Sequence, residues 1–229
     1  MRGLAVLVLG MHRSGTSVAT EILSRLGLWI GTEENLVGAT EFNPRGHFEL
    51  VAGLEFNNEV LRQTRGSWDN PPTVESVDEL ATRIRPLVDV WYEGRSAWAF
   101  KDPRLCLTVP AWMPALAGLD VRIVHLVRNP HAVARSLVAR NDAMDLPASR
   151  FAKGEMVVSD ALTLWAEYNR RACLYEERFA VPRLLVWYDQ LVDDPAAEVR
   201  RIAAFVGRGI AQLRSAVECV RPELRRTRG

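Results

Sequence analysis

Apolar runs of strand length alternate along this chain with stretches in which apolar residues recur at helical spacing. Residues 4–9, Leu-Ala-Val-Leu-Val-Leu, contain no polar position, the pattern of a parallel strand covered on both faces. Val18, Ile22, Leu23 and Leu26 then fall on one helical face, and Gly27 supplies a stop. Residues 31–48 follow neither period and contain the turn formers Asn43, Pro44 and Gly46, so they read as loop. Helical spacing returns at about 49–64 and again at about 78–92. Residues 97–100 make a short apolar strand ending at Lys101, and Pro103 stops it from pairing further. A third strand over 121–127 is interrupted by Arg122 and His125 and ends at Arg128-Asn129-Pro130; Pro130 suits the first position of a helix running to about Arg140. A long helix at about 155–179, with Leu, Trp and Tyr at core spacing, precedes a fourth strand at 183–187.

This alternation predicts an α/β fold: a P-loop-like parallel sheet with right-handed crossovers and helices on both faces. With 229 residues and no internal repeat or linker-like tract, one domain over 1–229 is expected, with a C-terminal tail from about 207. At 48% hydrophobic and 25% charged residues, the chain belongs with ordinary globular proteins, not with disordered or disulfide-scaffold classes. A formal net charge of +1 offers nothing global to nucleic acid or a membrane surface, so any anion site must be local. Cys106, Cys173 and Cys219 show no paired spacing, which points to a reduced, cytoplasmic setting. The six apolar residues at the start are too few for a secretion signal or a membrane span. The basic residues comprise 27 arginines and only two lysines, Lys101 and Lys153, which marks each lysine as a position where arginine may not substitute.

In parallel α/β sheets ligands bind beyond the carboxyl ends of the strands, so the junctions there carry the chemistry. The first is Gly10-Met11-His12-Arg13-Ser14-Gly15-Thr16-Ser17, between a strand and a helix. Its glycines match the phosphate-loop template, whose amides and helix N-terminus cradle an anion, but Thr16 stands where a Walker loop carries lysine. The second is Phe100-Lys101-Asp102-Pro103-Arg104, which sets one of the two lysines on the same rim. At the third, Arg128 leaves a strand end and Ser136 lies roughly two turns into the following helix, so a fork and a hydroxyl can grip one phosphate.

Taken together these residues resemble the sulfotransferase superfamily that uses 3′-phosphoadenosine 5′-phosphosulfate (PAPS), in its bacterial branch. Arg13-Ser14-Gly15-Thr16-Ser17, with His12 before it, looks like the family's 5′-phosphosulfate loop, and Arg128 with Ser136 looks like its 3′-phosphate pair. Lys101-Asp102-Pro103 is similar to the strand-end motif of the tyrosylprotein and carbohydrate branches; Tyr188, in Trp187-Tyr188-Asp189-Gln190-Leu191, resembles a tyrosine beside the nucleotide. The resemblance implies PAPS as cofactor, adenosine 3′,5′-bisphosphate (PAP) as product and no metal. It implies an acceptor hydroxyl on a small molecule, glycan or peptide, with neither nucleic acid nor a membrane span involved; oligomeric state stays open. Loop amides, Arg13, Thr16, Ser17 and Lys101 would stabilise the leaving phosphate. The strand-end histidine of the cytosolic branch is replaced by Pro103, so a base must come from elsewhere: Glu49 first, His47 second, Asp102 third. The Arg-Lys-Gly segment with which the cytosolic branch closes over the 3′-phosphate has no match here; Arg225, Arg226 and Arg228 either supply that cation by a different geometry or form a basic tail, the reading favoured by their place at the terminus. Two other functions stay open. A P-loop kinase would need the missing lysine and a metal-binding acid such as Asp102 or Asp189; a catalytically silent anion-binding module would use the tryptophans as a surface.

Overall fold

The computed structural model describes residues 3–221 apart from 42, 44, 45, 73–77, 145 and 147, so the C-terminal arginines at 225, 226 and 228 and the turn proline at 44 lie outside the described residues. At its centre is a sheet of four strands, β1 (Leu4–Leu9), β2 (Ala97–Lys101), β3 (Asp120–Val127) and β4 (Arg183–Trp187), in the order β2-β1-β3-β4 with every pair parallel. Each lies within a residue or so of its expected span, and β1, apolar throughout, is buried along its whole length.

The pleat divides β1 between two cores. Ala5, Leu7 and Leu9 pack on the side of α2 (Val51–Gln63), α3 (Asp78–Tyr92), α4 (Leu105–Trp112) and α6 (Val158–Phe179), whereas Leu4, Val6 and Val8 pack on the side of α1 (Thr16–Arg25), α8 (Pro195–Phe205) and α9 (Leu213–Val217). β2 makes the asymmetry sharpest. Trp98 and Phe100 point to the first core, where Phe100 and Trp112 have ring centroids 4.7 Å apart, while Ala97 and Ala99 face α1. Burying side chains of this size contributes roughly 1.5–3 kcal/mol each.

Four helices were not anticipated: α4, α7 (Tyr188–Asp193), α8 and α9. Every residue of α4 is buried, so it has no polar face to set a 3.6-residue period. The expected tail from about 207 is instead folded as far as 221: α9 lies in it, and Ala216, Cys219 and Val220 are buried against α1 and α8. α2 begins at Val51, which leaves Glu49 ahead of the helix and not in its first turn. α5 (Pro130–Ala143) starts at Pro130 with Asn129 as its cap, the Asn129 side chain accepting from the amides of His131 and Ala132. Asp69, fully buried, accepts from Ser67, from Ser149 and from the Arg150 amide, and so fastens the loop before 72 to the loop after α5. Among the described residues no helix is long and apolar enough to cross a membrane.

Candidate active site

β1 is hydrogen-bonded to β2 on one side and β3 on the other, so the chain reverses its winding at β1 and opens a crevice above the carboxyl ends of β1 and β3. The loop 10–15 lies there. A Cβ at Gly10 would stand 2.6 Å from the Leu126 carbonyl oxygen, and one at Gly15 would stand 2.2 Å from the Tyr188 ring, so neither position admits a side chain. Arg13 (φ 71°) and Gly15 (φ 89°) are both left-handed, the alternation that turns successive amides toward one concavity. No side chain caps α1 and no acid occupies its first turn, which leaves its amides and its positive dipole end to the pocket.

Arg13 donates from Nε to Ser136 Oγ at 2.9 Å, and Arg128 donates from Nη1 to the Arg13 carbonyl at 3.0 Å. The glycine loop, the end of β3 and α5 are thereby tied into one cationic wall. The Arg128 guanidinium also lies 4.7 Å from the Tyr188 ring centroid, and its carbonyl accepts from Trp165 Nε1 at 3.0 Å. His12, Arg13, Gly15, Thr16, Ser17, Arg128, Ser136 and Tyr188 all line the same pocket. Ser14 does not: its side chain is fully buried beneath the loop, and only its backbone belongs to the turn.

The opposite wall carries Lys101, Glu49 and His47. Lys101 Nζ donates to Glu49 Oε1 at 2.7 Å, with the two side chains only 2% and 8% exposed. Burial pushes the Glu49 carboxyl above its ordinary range against the pull of the Lys101 ammonium. Left-handed Phe48 (φ 54°) kinks the chain between His47 and Glu49, and all three residues reach the pocket. Half-buried His47 is pushed down to about 4 by burial and then by the charges of Lys101, Arg140 and Arg13; its Nε2 lies 2.9 Å from Thr40 Oγ1. Burial, with Arg104, Arg140, Lys101 and Arg13 around it, holds His12 well below the usual imidazole range. Both rings are therefore neutral at pH 7. Asp102 is excluded as a base by its partners, since it accepts from Asn57 at 2.9 Å and from the amide and guanidinium of Arg104, away from the pocket.

The sulfotransferase family matches residues 5–211, almost the whole chain. The chain belongs to the sulfotransferase family. A search of the curated proteins finds no match. Among solved structures, this sulfotransferase is similar to the sulfotransferase domain of the Synechococcus olefin synthase, at 19% identity and a TM-score of 0.54 over 93% of this chain and 76% of that one. It is similar to a sulfotransferase of Mycobacterium tuberculosis at 15% identity and a TM-score of 0.55, covering 95% and 71%. A mouse sulfotransferase complexed with PAP matches at 13% identity and a TM-score of 0.51, covering 96% and 66%. At such identities the likeness speaks for the fold.

Several residues lining this sulfotransferase's pocket had not been read as site residues. Arg140 stands one turn beyond Ser136, a spacing that was legible. Asn43, already noted as a turn former, donates from Nδ2 to Ser17 Oγ at 3.1 Å. Cys219, Val220 and Arg221 reach the pocket only because α9 folds back on α1, and no local signal announces that.

Proposed function

We propose that this sulfotransferase uses PAPS and passes its sulfuryl group to an acceptor hydroxyl, with Lys101 and the glycine loop stabilising the leaving phosphate and Glu49 as general base. The observation that carries the reading is the linkage Arg13–Ser136 and Arg128–Arg13 carbonyl, which joins two anion-binding elements across the switch point of the sheet. The donor set suits a nucleoside with anions at both ends: uncapped helix amides, hydroxyls, guanidinium groups and a tyrosine ring, and the mouse neighbour is complexed with PAP. When bound, PAPS supplies a sulfuryl group on a mixed anhydride with a 5′-phosphate.

Arg13, Thr16, Ser17 and the first amides of α1 hold the 5′ end, and Arg128 with Ser136 and Tyr188 holds the 3′ end. Lys101 turns its ammonium from Glu49 toward the oxygen on which charge develops, an interaction stronger in the transition state than in the ground state. Glu49, released from that ion pair and already made more basic by burial, takes the acceptor's proton on its carboxylate. His47, neutral, keeps Thr40 and the loop beside it in place. The test is calorimetry without a divalent ion. PAP is expected to bind at least about a hundredfold more tightly than ATP, the worth of one or two charge-assisted hydrogen bonds at ~1.5–3 kcal/mol each. ATP binding that equals or exceeds that of PAP and depends on Mg²⁺ would overturn the assignment.

A further inference from the structure

On that reading three pocket cations have a donor anion to meet: Arg13 at the 5′ end, Arg128 at the 3′ end and Lys101 at the leaving oxygen. Arg140 on α5 and Arg221 beyond α9 also line the pocket and have no such assignment; of the two, Arg140 is the one set beside Ser136. Among the described residues it makes no ion pair, and its Nε is buried without a hydrogen-bond partner. Glu49, the acid whose field reaches it, is engaged by Lys101. A guanidinium stays charged in proteins and presents a fork of donors, so a partly buried one facing a pocket is built to meet an oxyanion.

Its place in the fold tells which oxyanion. α5 packs chiefly along α6, so it runs past the pocket instead of down the sheet. Arg140 follows Ser136 on the same face, about 6 Å further along the helix axis and away from the Arg128 end. The next residue, buried Asn141, donates to the Ala152 carbonyl at 3.0 Å and accepts from the Met156 amide at 2.9 Å, which pins that turn of the helix. The charge of Arg140 acts on His47 and Glu49, on the wall with Lys101, as well as on His12 at the glycine loop. His47 and His12 are neutral and add no cation there.

We infer that the acceptor is itself an acid: a hydroxyl compound carrying a carboxylate, which Arg140 binds while the hydroxyl lies at Glu49. The inference rests on the sulfuryl-transfer reading above. In the step, the acceptor O–H bond breaks and its proton passes to Glu49. A bond forms from the acceptor oxygen to sulfur, and the bond from sulfur to the 5′-phosphate oxygen breaks with its electron pair left on that phosphate. Arg140 offsets the repulsion that an acidic acceptor would otherwise meet from Glu49 and the donor, so it selects by charge.

The experiment compares matched acceptors in which one carboxylate is free or masked, namely p-nitrophenyl β-glucuronide against its methyl ester, and 4-hydroxyphenylpropionate against its methyl ester. PAP release is followed with wild type, Arg140→Gln and Arg140→Lys, after calorimetry has fixed the PAP affinity of each. We expect the acid of at least one pair to be used with kcat/KM at least about tenfold higher than its neutral partner, a difference one charge-assisted contact supplies. Arg140→Gln should abolish that preference and leave PAP affinity within about twofold, and Arg140→Lys should restore part of it. Absence of acid preference in wild type, including absence of turnover on every compound, overturns the inference, as does a preference that survives in Arg140→Gln. A loss of PAP affinity in Arg140→Gln comparable to that of Arg128→Ala would assign Arg140 to the nucleotide and overturn it too. Failure of wild type to bind PAP at all would instead overturn the underlying donor assignment.

Discussion

Glu49 and Lys101 neutralise each other at 2.7 Å on one wall of the pocket, yet the proposed chemistry needs them apart, and their substitution should therefore have different signatures. Lys101→Ala is expected to lower kcat by about a hundredfold or more with a smaller loss of PAP affinity, because the charge it meets develops only on the way to the transition state. Glu49→Gln should keep PAP binding and lose the acidic limb of the pH profile. The sign follows from burial. Glu49 works as a base only when ionised, and a carboxyl pushed above its ordinary range protonates sooner as pH falls. The wild-type limb in kcat should then lie above the ordinary glutamate value of about 4.3. A limb near 4 that persists in Glu49→Gln would transfer the role to His47, whose ring is pushed down to about 4. Asp102 shows what sequence cannot convey at this scale: it adjoins Lys101 in the chain, yet its carboxylate is committed to Asn57 and Arg104.

At the scale of elements, Asn57 decides how β2 delivers Lys101. This buried residue of α2 donates to Asp102 at 2.9 Å and accepts at its Oδ1 from Thr108 Oγ1 at 2.7 Å and from Trp112 Nε1 at 2.8 Å. It thus fastens α2, the end of β2 and α4 together. Asn57→Leu would keep the branched shape, strand the Trp112 Nε1 donor and take one bond each from Asp102 and Thr108, which keep those to Arg104, at a cost of about 2–4 kcal/mol. For a chain of this size that corresponds to a fall in Tm of about 5–15 °C by calorimetry; an unchanged Tm would show that the network relaxes onto water. Nothing in the pattern around Asn57 marks it as a hub, because its partners lie 45 to 55 residues away in sequence.

For the molecule as a whole, the pocket is where separately folded pieces converge. The loop after β1, the end of β3, α5, α7 and the stretch after α9 all line it, with the two hydrophobic cores on either side of the sheet holding them at fixed distance. A ligand that contacts all of them stabilises the folded state by linkage. PAP at a hundredfold its Kd should contribute about 2.7 kcal/mol and raise Tm by about 5–11 °C in differential scanning fluorimetry. ATP at the same concentration should do less. Equal shifts for the two nucleotides would argue against separate 5′ and 3′ anion sites.

Sequence by itself determined the elements whose signal is local. β1 is readable because a parallel strand buried on both faces has no polar position, and the glycine loop because its glycines fall at phosphate-loop spacing between that strand and a helix. Arg128 at the end of β3 and Ser136 two turns into α5 both line the pocket, as their places in the sequence suggest, although the bond Ser136 makes is to Arg13. The tertiary structure alone decided what depends on distant partners. It set Glu49 ahead of α2 and against Lys101, withdrew Ser14 and Asp102 from the pocket, folded α9 onto α1, and brought Arg140 to the pocket without an ion-pair partner among the described residues. The physical reason is common to all four: a side chain's role here is fixed by burial and by charges supplied from tens of residues away, and neither quantity has a period in the sequence.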